Sequence, residues 1–186
     1  NTVGMRSSSV NNSRNVFYGN LQLAVDVPAD GITLNDDPDT LDGQVGMPVI
    51  TSAFLNPDRT VLTVMGFAPR PGVAVELYLT DTSVSGLGQG RTWVATLVEG
   101  AAGAIPDQDT GTVATGSVAG ASRFQFQIPL SSLPANVAQQ IDLGKLVTGQ
   151  AIVNSAALPS LVGPSGEFGN VAAVADGATA GGQLLA

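Results

Sequence analysis

Hydrophobic and polar residues alternate over residues 17–27, near the start of the chain. One face carries Phe17, Gly19, Leu21, Leu23, Val25 and Val27, and the other carries Tyr18, Asn20, Gln22, Ala24 and Asp26. A period of two residues is typical of a β-strand with one buried face. The pattern therefore predicts a strand over 17–27. A polar, aperiodic stretch precedes it, and we interpret residues 1–16 as a flexible arm.

Seven short strand-like runs follow the first 48 residues, with Pro, Gly, Asn and Asp turn signals between them. They span residues 49–55, 60–68, 73–80, 91–99, 122–129, 150–158 and 168–175. One or two helical turns are expected over 136–142, and helical periodicity is otherwise nearly absent. The pattern predicts an all-β fold, specifically an immunoglobulin-like Greek-key β-sandwich with an extra N-terminal strand and a flexible arm.

Four parts of the chain follow from this pattern. They are the arm at 1–16, the extra strand with an Asp-rich loop at 17–47, the sandwich at 48–175 and a C-terminal tail at 176–186. The chain contains no apolar run long enough for a membrane span, so no membrane insertion is expected.

Charge and composition exclude several classes of function. Seven basic and fifteen acidic residues give a net charge of −8, which provides no electrostatic footprint for nucleic acid. The absence of His and Cys removes the usual ligands of zinc, haem and iron–sulfur clusters, and it excludes Ser-His and Cys-His catalysis. The pattern does not bring two of the three glutamates, Glu76, Glu99 and Glu167, together for glycosidase chemistry. We therefore expect a protein that is not an enzyme.

The strand over 17–27 suggests a mode of assembly. A lone strand with an apolar face must pair with its own sandwich or with that of another subunit. In the second case it would add to an open sheet edge, and head-to-tail repetition would build a homopolymer. The residues that would fill the acceptor's pockets are Phe17, Leu21, Leu23, Val25 and Val27. The sequence leaves both alternatives open.

Six of the fifteen acids lie within 17 residues, between Asp26 and Asp42. Hard oxygen ligands at this density suit Ca²⁺, although the spacing is not that of an EF-hand. The tentative calcium ligands are Asn35, Asp36, Asp37, Asp39 and Asp42. The other interpretation is a solvated turn, because Asp and Asn also favour turns.

Four phrases, taken in order over about residues 19–175, resemble a bacterial immunoglobulin-like module that follows parallel β-helix repeats in large secreted surface proteins. They are Gly19-Asn20-Leu21 with Asp30-Gly31-Ile32 and Pro48-Val49-Ile50; Gly66-Phe67-Ala68 with Pro71-Gly72-Val73; Gly86-Leu87-Gly88-Gln89-Gly90; and Gly149-Gln150-Ala151 with Glu167-Phe168-Gly169. The chain departs from the family at 153–157, where alternating Thr-Ala pairs are usual, and at Gly169, where Ser is usual. The resemblance implies a surface-exposed sandwich, often adhesive.

These observations predict a structural role. We expect an extracellular or cell-surface subunit, prokaryotic and freed of its signal peptide, that polymerises into a filament by donating its N-terminal strand to a neighbouring copy. The alternative is an adhesive or ligand-binding immunoglobulin-like module of a larger surface protein.

Overall fold

The computed structural model describes residues 3–4, 13–20, 23–26, 45–81, 86–114, 120–153 and 165–180. The predicted all-β class is confirmed for these residues, which form mostly strands and very little helix. The strands are β1 Val3–Gly4, β2 Val25–Asp26, β3 Val49–Leu55, β4 Val61–Ala68, β5 Ala74–Thr80, β6 Thr92–Val98, β7 Ser122–Pro129, β8 Leu146–Ile152, β9 Ser165–Phe168 and β10 Ala172–Asp176. Short helical turns occur at Leu130–Ser132, at α1 Ala135–Ala138 and at α2 Gly177–Ala180.

Eight strands form one strongly curved sheet that nearly closes into a barrel. Its order is β6-β5-β8-β10-β3-β4-β7, with β9 as a further partner of β8. Neighbouring strands are antiparallel except β10 and β3, which run parallel. β10 joins the two halves of the sheet, because Ala172 and Ala173 pair with β8 and Val174–Asp176 pairs with β3. We call β6, β5, β8 and β9 the second half-sheet.

The core lies inside this curved sheet, as the alternation along the strands predicts. Val75, Leu77 and Leu79 of β5 point into it, and Phe124 and Phe126 of β7 meet there as a ring pair with centroids 5.4 Å apart. Burial of these apolar side chains is the main favourable contribution to folding. The predicted strand positions at 49–55 and 122–129 agree with β3 and β7. β8 starts four residues earlier than predicted, and the last predicted strand is divided into β9 and β10.

The strand predicted over 17–27 is wrong for most of the described residues. Only Val25–Asp26 is a strand, and it pairs in parallel with Val3–Gly4. Arg14 and Gly19 have φ angles of 57° and 67°, in the left-handed region, which turns the backbone out of an extended path. The described residues of this stretch therefore lie against the curved sheet in a bent conformation, although the alternation of the sequence is that of a strand.

The long excursion at residues 100–114 protects one edge of the sheet. Gln108 N–H donates to the Gln125 carbonyl at 2.8 Å, and Arg123 N–H donates to the Gly111 carbonyl at 2.7 Å, so the excursion pairs with β7. Arg123 also holds the Asp109 carboxylate through Nε and Nη2 at 3.0 and 3.1 Å. Hydrogen bonds from Arg123 and then from the Gly111 N–H lower the pKa of Asp109 below its ordinary value. Covering an edge strand in this way limits unwanted pairing with other chains.

In the described part of the chain, no helix has the length and apolar character needed to cross a membrane.

We predict that Gly66→Ala destabilises the fold by about 1–3 kcal/mol, the range typical of overpacking. A Cβ at Gly66 would collide with the Val49 carbonyl oxygen and would lie 2.8 Å from Cζ of Phe124. Chemical denaturation measures the loss. Gly103→Ala is the matched control, because a Cβ there meets no atom within 4 Å. Equal stability of the two variants would contradict the close packing of β4 between β3 and β7.

Candidate functional site

The outer face of the second half-sheet is covered by the protein's own N-terminal segment. Glu76 and Tyr78 alternate with the core residues of β5 and should face solvent, yet all seven residues of β5 are buried. Residues 13–20 and 23–26, which we call the N-terminal segment, lie over this face. We call the side chains beneath it the covered face, which comprises Glu76, Tyr78, Gln89, Trp93 and Phe168.

Glu76 is the polar centre of the covered face, and its side chain is fully buried at 0% exposure. Its Oε1 accepts hydrogen bonds from Ser13 Oγ at 2.5 Å and Thr96 Oγ1 at 3.4 Å. Its Oε2 accepts from Tyr78 Oη at 2.6 Å and from the Arg14 backbone N–H at 2.8 Å. A buried carboxylate is costly unless such donors surround it. The sheet supplies two of the four donors here, and the N-terminal segment supplies the other two.

Aromatic rings form the apolar part of the covered face. The Phe168 ring meets Tyr78 edge-on at 5.3 Å and Phe17 edge-on at 5.9 Å between centroids. Ala24 and Val25 are each 1% exposed and belong to the same cluster. Edge-to-face pairs add about 0.5–1.5 kcal/mol beyond the area that they bury. The N-terminal segment thus packs Phe17 and Val25 against the covered face, although residues 17–20 do not form the predicted strand.

A side-chain amide holds the middle of the N-terminal segment. Gln89 Oε1 accepts from the Asn20 backbone N–H at 3.0 Å, and Gln89 Nε2 donates to the Asn20 carbonyl at 2.8 Å. The Phe17 N–H donates to the Gly90 carbonyl at 2.6 Å. The amide therefore pairs with the segment's backbone much as a neighbouring strand would.

Trp93 and Arg14 form the last contact. The Arg14 guanidinium carbon lies 4.8 Å from the centre of the Trp93 ring, within cation–π range. Among the described residues, the buried Trp93 Nε1 and Gln150 Oε1 find no hydrogen-bond partner. Trp93 is the single tryptophan of the chain, so its fluorescence reports on the end of the covered face where Arg14 docks.

The structure places the sequence-predicted residues as follows. Phe17, Leu23 and Val25 lie in the described N-terminal segment, where Phe17 and Val25 contact the covered face and Leu23 is 8% exposed. Leu21 and Val27 lie outside the described residues, as do the predicted calcium ligands Asn35, Asp36, Asp37, Asp39 and Asp42. No group of three or more acidic side chains that could hold a metal ion occurs within the described ranges. Calcium binding stays a prediction from the sequence.

The sequence reasoning missed the acceptor side of this site. The alternation along β5 puts Glu76 and Tyr78 on the strand's outward face, which the pattern alone does not show to be covered, and Ser13 and Arg14 belong to the stretch that we interpret as a flexible arm. One signal was available, because a Glu and a Tyr two residues apart share one face of a strand and can bond to each other. Nothing in the local pattern shows that another segment covers that face.

A separate cleft of about 360 Å³ lies where β5 ends and β6 and β8 begin, beside α1. It is lined by Leu79, Thr80, Asp81, Arg91, Thr92, Gln139, Gln140, Lys145 and Leu146. Arg91 Nη1 lies 3.0 Å from Asp81 Oδ1 in an exposed ion pair. The lining is mainly hydroxyl, amide and charged groups.

Comparison of the chain with protein-family models, with curated proteins and with solved structures finds no significant match. The resemblance to the immunoglobulin-like surface module therefore stays an expectation from the sequence.

We predict that the stability of the native protein falls more steeply above pH 10 than that of Tyr78→Phe. Burial, then the hydrogen bond to Glu76 and its negative charge, raise the pKa of Tyr78 far above its ordinary value of 10.0. Above pH 10 the unfolded chain therefore loses this proton while the folded protein keeps it. Stability is fully present below pH 10 and declines by about 1.4 kcal/mol for each further pH unit.

Urea denaturation between pH 8 and pH 11 measures the difference. Tyr18→Phe is the matched control, because Tyr18 is 70% exposed, and it should follow the native protein. Parallel pH profiles for the native protein and Tyr78→Phe would contradict the buried Tyr78–Glu76 pair.

Proposed function

We propose that the chain is a non-enzymatic extracellular structural subunit, which polymerises into a surface filament by donating its N-terminal segment to a neighbouring copy. One observation carries the proposal. The N-terminal segment docks on the outside of the sandwich as a separate piece, through anchors at Ser13, Phe17 and Val25, and not as a strand of the main sheet.

The length of the connection supports exchange between copies. Eighteen residues, 27–44, join the N-terminal segment to the first described residue of the sandwich, Val45. A chain of that length reaches about 60 Å when fully extended. The segment could therefore make the same contacts on a neighbour as it makes on its own chain. Such an exchange requires no new interface, and it propagates when each copy donates in one direction.

The strand order supports a more specific fold within the all-β class. One half-sheet has the order β7-β4-β3, and the second half-sheet contains β6, β5, β8 and β9. β10 joins them and runs parallel to β3, an arrangement that supports an immunoglobulin-like Greek-key sandwich. This is the fold that the sequence resemblance implies, and it is common in cell-surface proteins.

Two further parts of the proposal rest on the sequence. Extracellular placement rests on the low charge and the resemblance to surface modules. Calcium bound by the acidic stretch would neutralise part of its charge and stiffen the connection between the N-terminal segment and the sandwich. The proposed partners are copies of the same chain, with neither nucleic acid nor a membrane interior among them.

We predict that Phe17→Asp abolishes filaments of the purified protein, whereas the adjacent substitution Tyr18→Asp leaves them intact. Phe17 packs on Phe168, and a carboxylate there would be desolvated beside an aromatic ring, whereas Tyr18 is 70% exposed. Negative-stain electron microscopy and light scattering at several concentrations measure assembly, and circular dichroism checks folding.

Two results would contradict the proposal. The first is a native protein that remains monomeric at all concentrations. The second is assembly that stops at a closed dimer, because a reciprocal exchange leaves no free donor and cannot grow.

The alternative function is an adhesive or ligand-binding module of a larger surface protein. The observation that favours it is the polar cleft, since hydroxyl and amide groups such as those of Thr92 and Gln140 suit a hydroxyl-rich ligand such as a sugar.

For this alternative, we predict that a panel of neutral monosaccharides shifts the NMR side-chain amide signals of Gln139 and Gln140. Gln140→Ala should weaken binding several-fold, because one well-placed hydrogen bond contributes about 1 kcal/mol. Gln108→Ala, on the β7 edge, is the control. Unchanged spectra across the panel would contradict the ligand-binding module.

A further inference from the structure

We infer that the covered face is the acceptor site for residues 13–26 of a second copy, and that Glu76 is the residue by which it selects that segment. This inference rests on the proposed function and identifies where the donated segment binds.

Half of the hydrogen bonds to the Glu76 carboxylate come from the N-terminal segment. Ser13 and Arg14 supply two of its four donors, and the carboxylate is 0% exposed. If the N-terminal segment leaves, Tyr78 and Thr96 still donate, but half of the hydrogen bonds are lost. Phe17, Ala24 and Val25 leave with the segment, so water reaches the carboxylate, and any new occupant that displaces this water must supply donors in its place. The face therefore favours an occupant that brings a hydroxyl and a backbone N–H together.

The N-terminal segment matches this requirement at several points in succession. Ser13 presents the hydroxyl, and Arg14 presents its N–H to the carboxylate and its guanidinium to the Trp93 ring. Three residues later, Phe17 reaches Phe168. Arg14 is held at a φ of 57°, a conformation uncommon for residues other than glycine. Its contacts on the covered face offset that local strain.

The selection is electrostatic as well as steric. If the occupant carried a carbonyl or a carboxylate in place of the Ser13 hydroxyl, two acceptors would face each other. The Glu76 carboxylate would then lose a hydrogen bond. Such mismatches at buried polar groups reduce affinity strongly, because the buried group loses a partner that water cannot replace. Gln89 imposes a second requirement on the occupant. Its side-chain amide bonds to both the backbone N–H and the carbonyl of one residue, as it does at Asn20.

The partner molecule that we propose for the covered face is a second copy of this chain. The matching groups occur in residues 13–20 and 23–26, and a connection of the length of 27–44 could carry them to a neighbour. The edge strand β7 is already paired with the 100–114 excursion and therefore does not offer its backbone to a donor. Donor and acceptor surfaces lie on different parts of the chain, so an exchange in one direction is heterologous and can be repeated from copy to copy.

A complementation experiment on the full chain tests the inference. Phe17→Asp damages the donor and keeps the acceptor, and Glu76→Gln damages the acceptor and keeps the donor. At position 76 an amide has one acceptor oxygen in place of two and carries no charge, so the charge-assisted hydrogen bonds from the N-terminal segment weaken. Glu76→Gln should raise the concentration for half-maximal assembly by about 10- to 100-fold. Glu99→Gln, at a carboxylate that is 5% exposed and bonds to Gly72, is the matched control.

Mixing the two damaged variants gives the decisive result. At concentrations below the raised assembly threshold of Glu76→Gln, we expect each variant alone to be monomeric and an equimolar mixture to form 1:1 dimers, measured by size-exclusion chromatography with light scattering. Circular dichroism checks the folding of each variant. If Glu76→Gln does not fold, Gln89→Ala replaces it as the acceptor variant, because it removes both hydrogen bonds to Asn20.

The outcomes separate this inference from the proposed function. Native filaments that Phe17→Asp abolishes but that Glu76→Gln and Gln89→Ala leave unchanged would overturn the inference and keep the filament, placing the acceptor elsewhere. A monomeric native protein would contradict the proposed function. In that case the mixture still decides whether the covered face accepts a second copy's segment: 1:1 dimers support this, and their absence overturns it.

Discussion

The Glu76 carboxylate is the constraint on which the outer half of this structure depends. A fully buried carboxylate in the middle of a strand must be surrounded by donors, and β5 and β6 supply only Tyr78 and Thr96. The remaining donors come from Ser13 and Arg14, more than sixty residues away along the chain. The hydrogen bonding of one side chain therefore links the position of the N-terminal segment to the second half-sheet.

The covered face also explains why β5 is buried on both sides. Val75 and Leu77 pack in the core, and the opposite face has a smaller cluster built on Tyr78 and Phe168. The two clusters differ in character, because the inner one is apolar throughout and the outer one surrounds a carboxylate. The apolar layer contributes most of the stability, whereas the polar one loses hydrogen bonds unless the segment that covers it supplies donors to Glu76.

The sequence predicts much of this fold and little of its site. Alternation along 73–80 and 122–129 correctly predicts β5 and β7 and their core residues, because the period of two is a local property. Alternation cannot distinguish a solvent-exposed face from one that another segment of the chain covers. It therefore does not predict the burial of Glu76 and Tyr78. The sequence does not predict the bend in the N-terminal segment either. Arg14, which has a left-handed conformation, contacts Glu76 and Trp93, and both lie far away along the chain. Pairing through the side-chain amide of Gln89, or of Asn170 with the backbone of Ile50, has no periodic signature.

The parallel pairing of β10 with β3 has a mechanical consequence. A stretching force applied at Val49, where β3 begins, and at Asp176, where β10 ends, pulls these two strands in opposite directions along their length. Val174, Ala175 and Asp176 pair with Ala53, Phe54 and Leu55, so their hydrogen bonds bear the load together and must fail together. An antiparallel hairpin pulled from its two ends would open one bond at a time. The parallel pairing of β10 with β3 therefore resists shear between the two strands when the chain is stretched along its length.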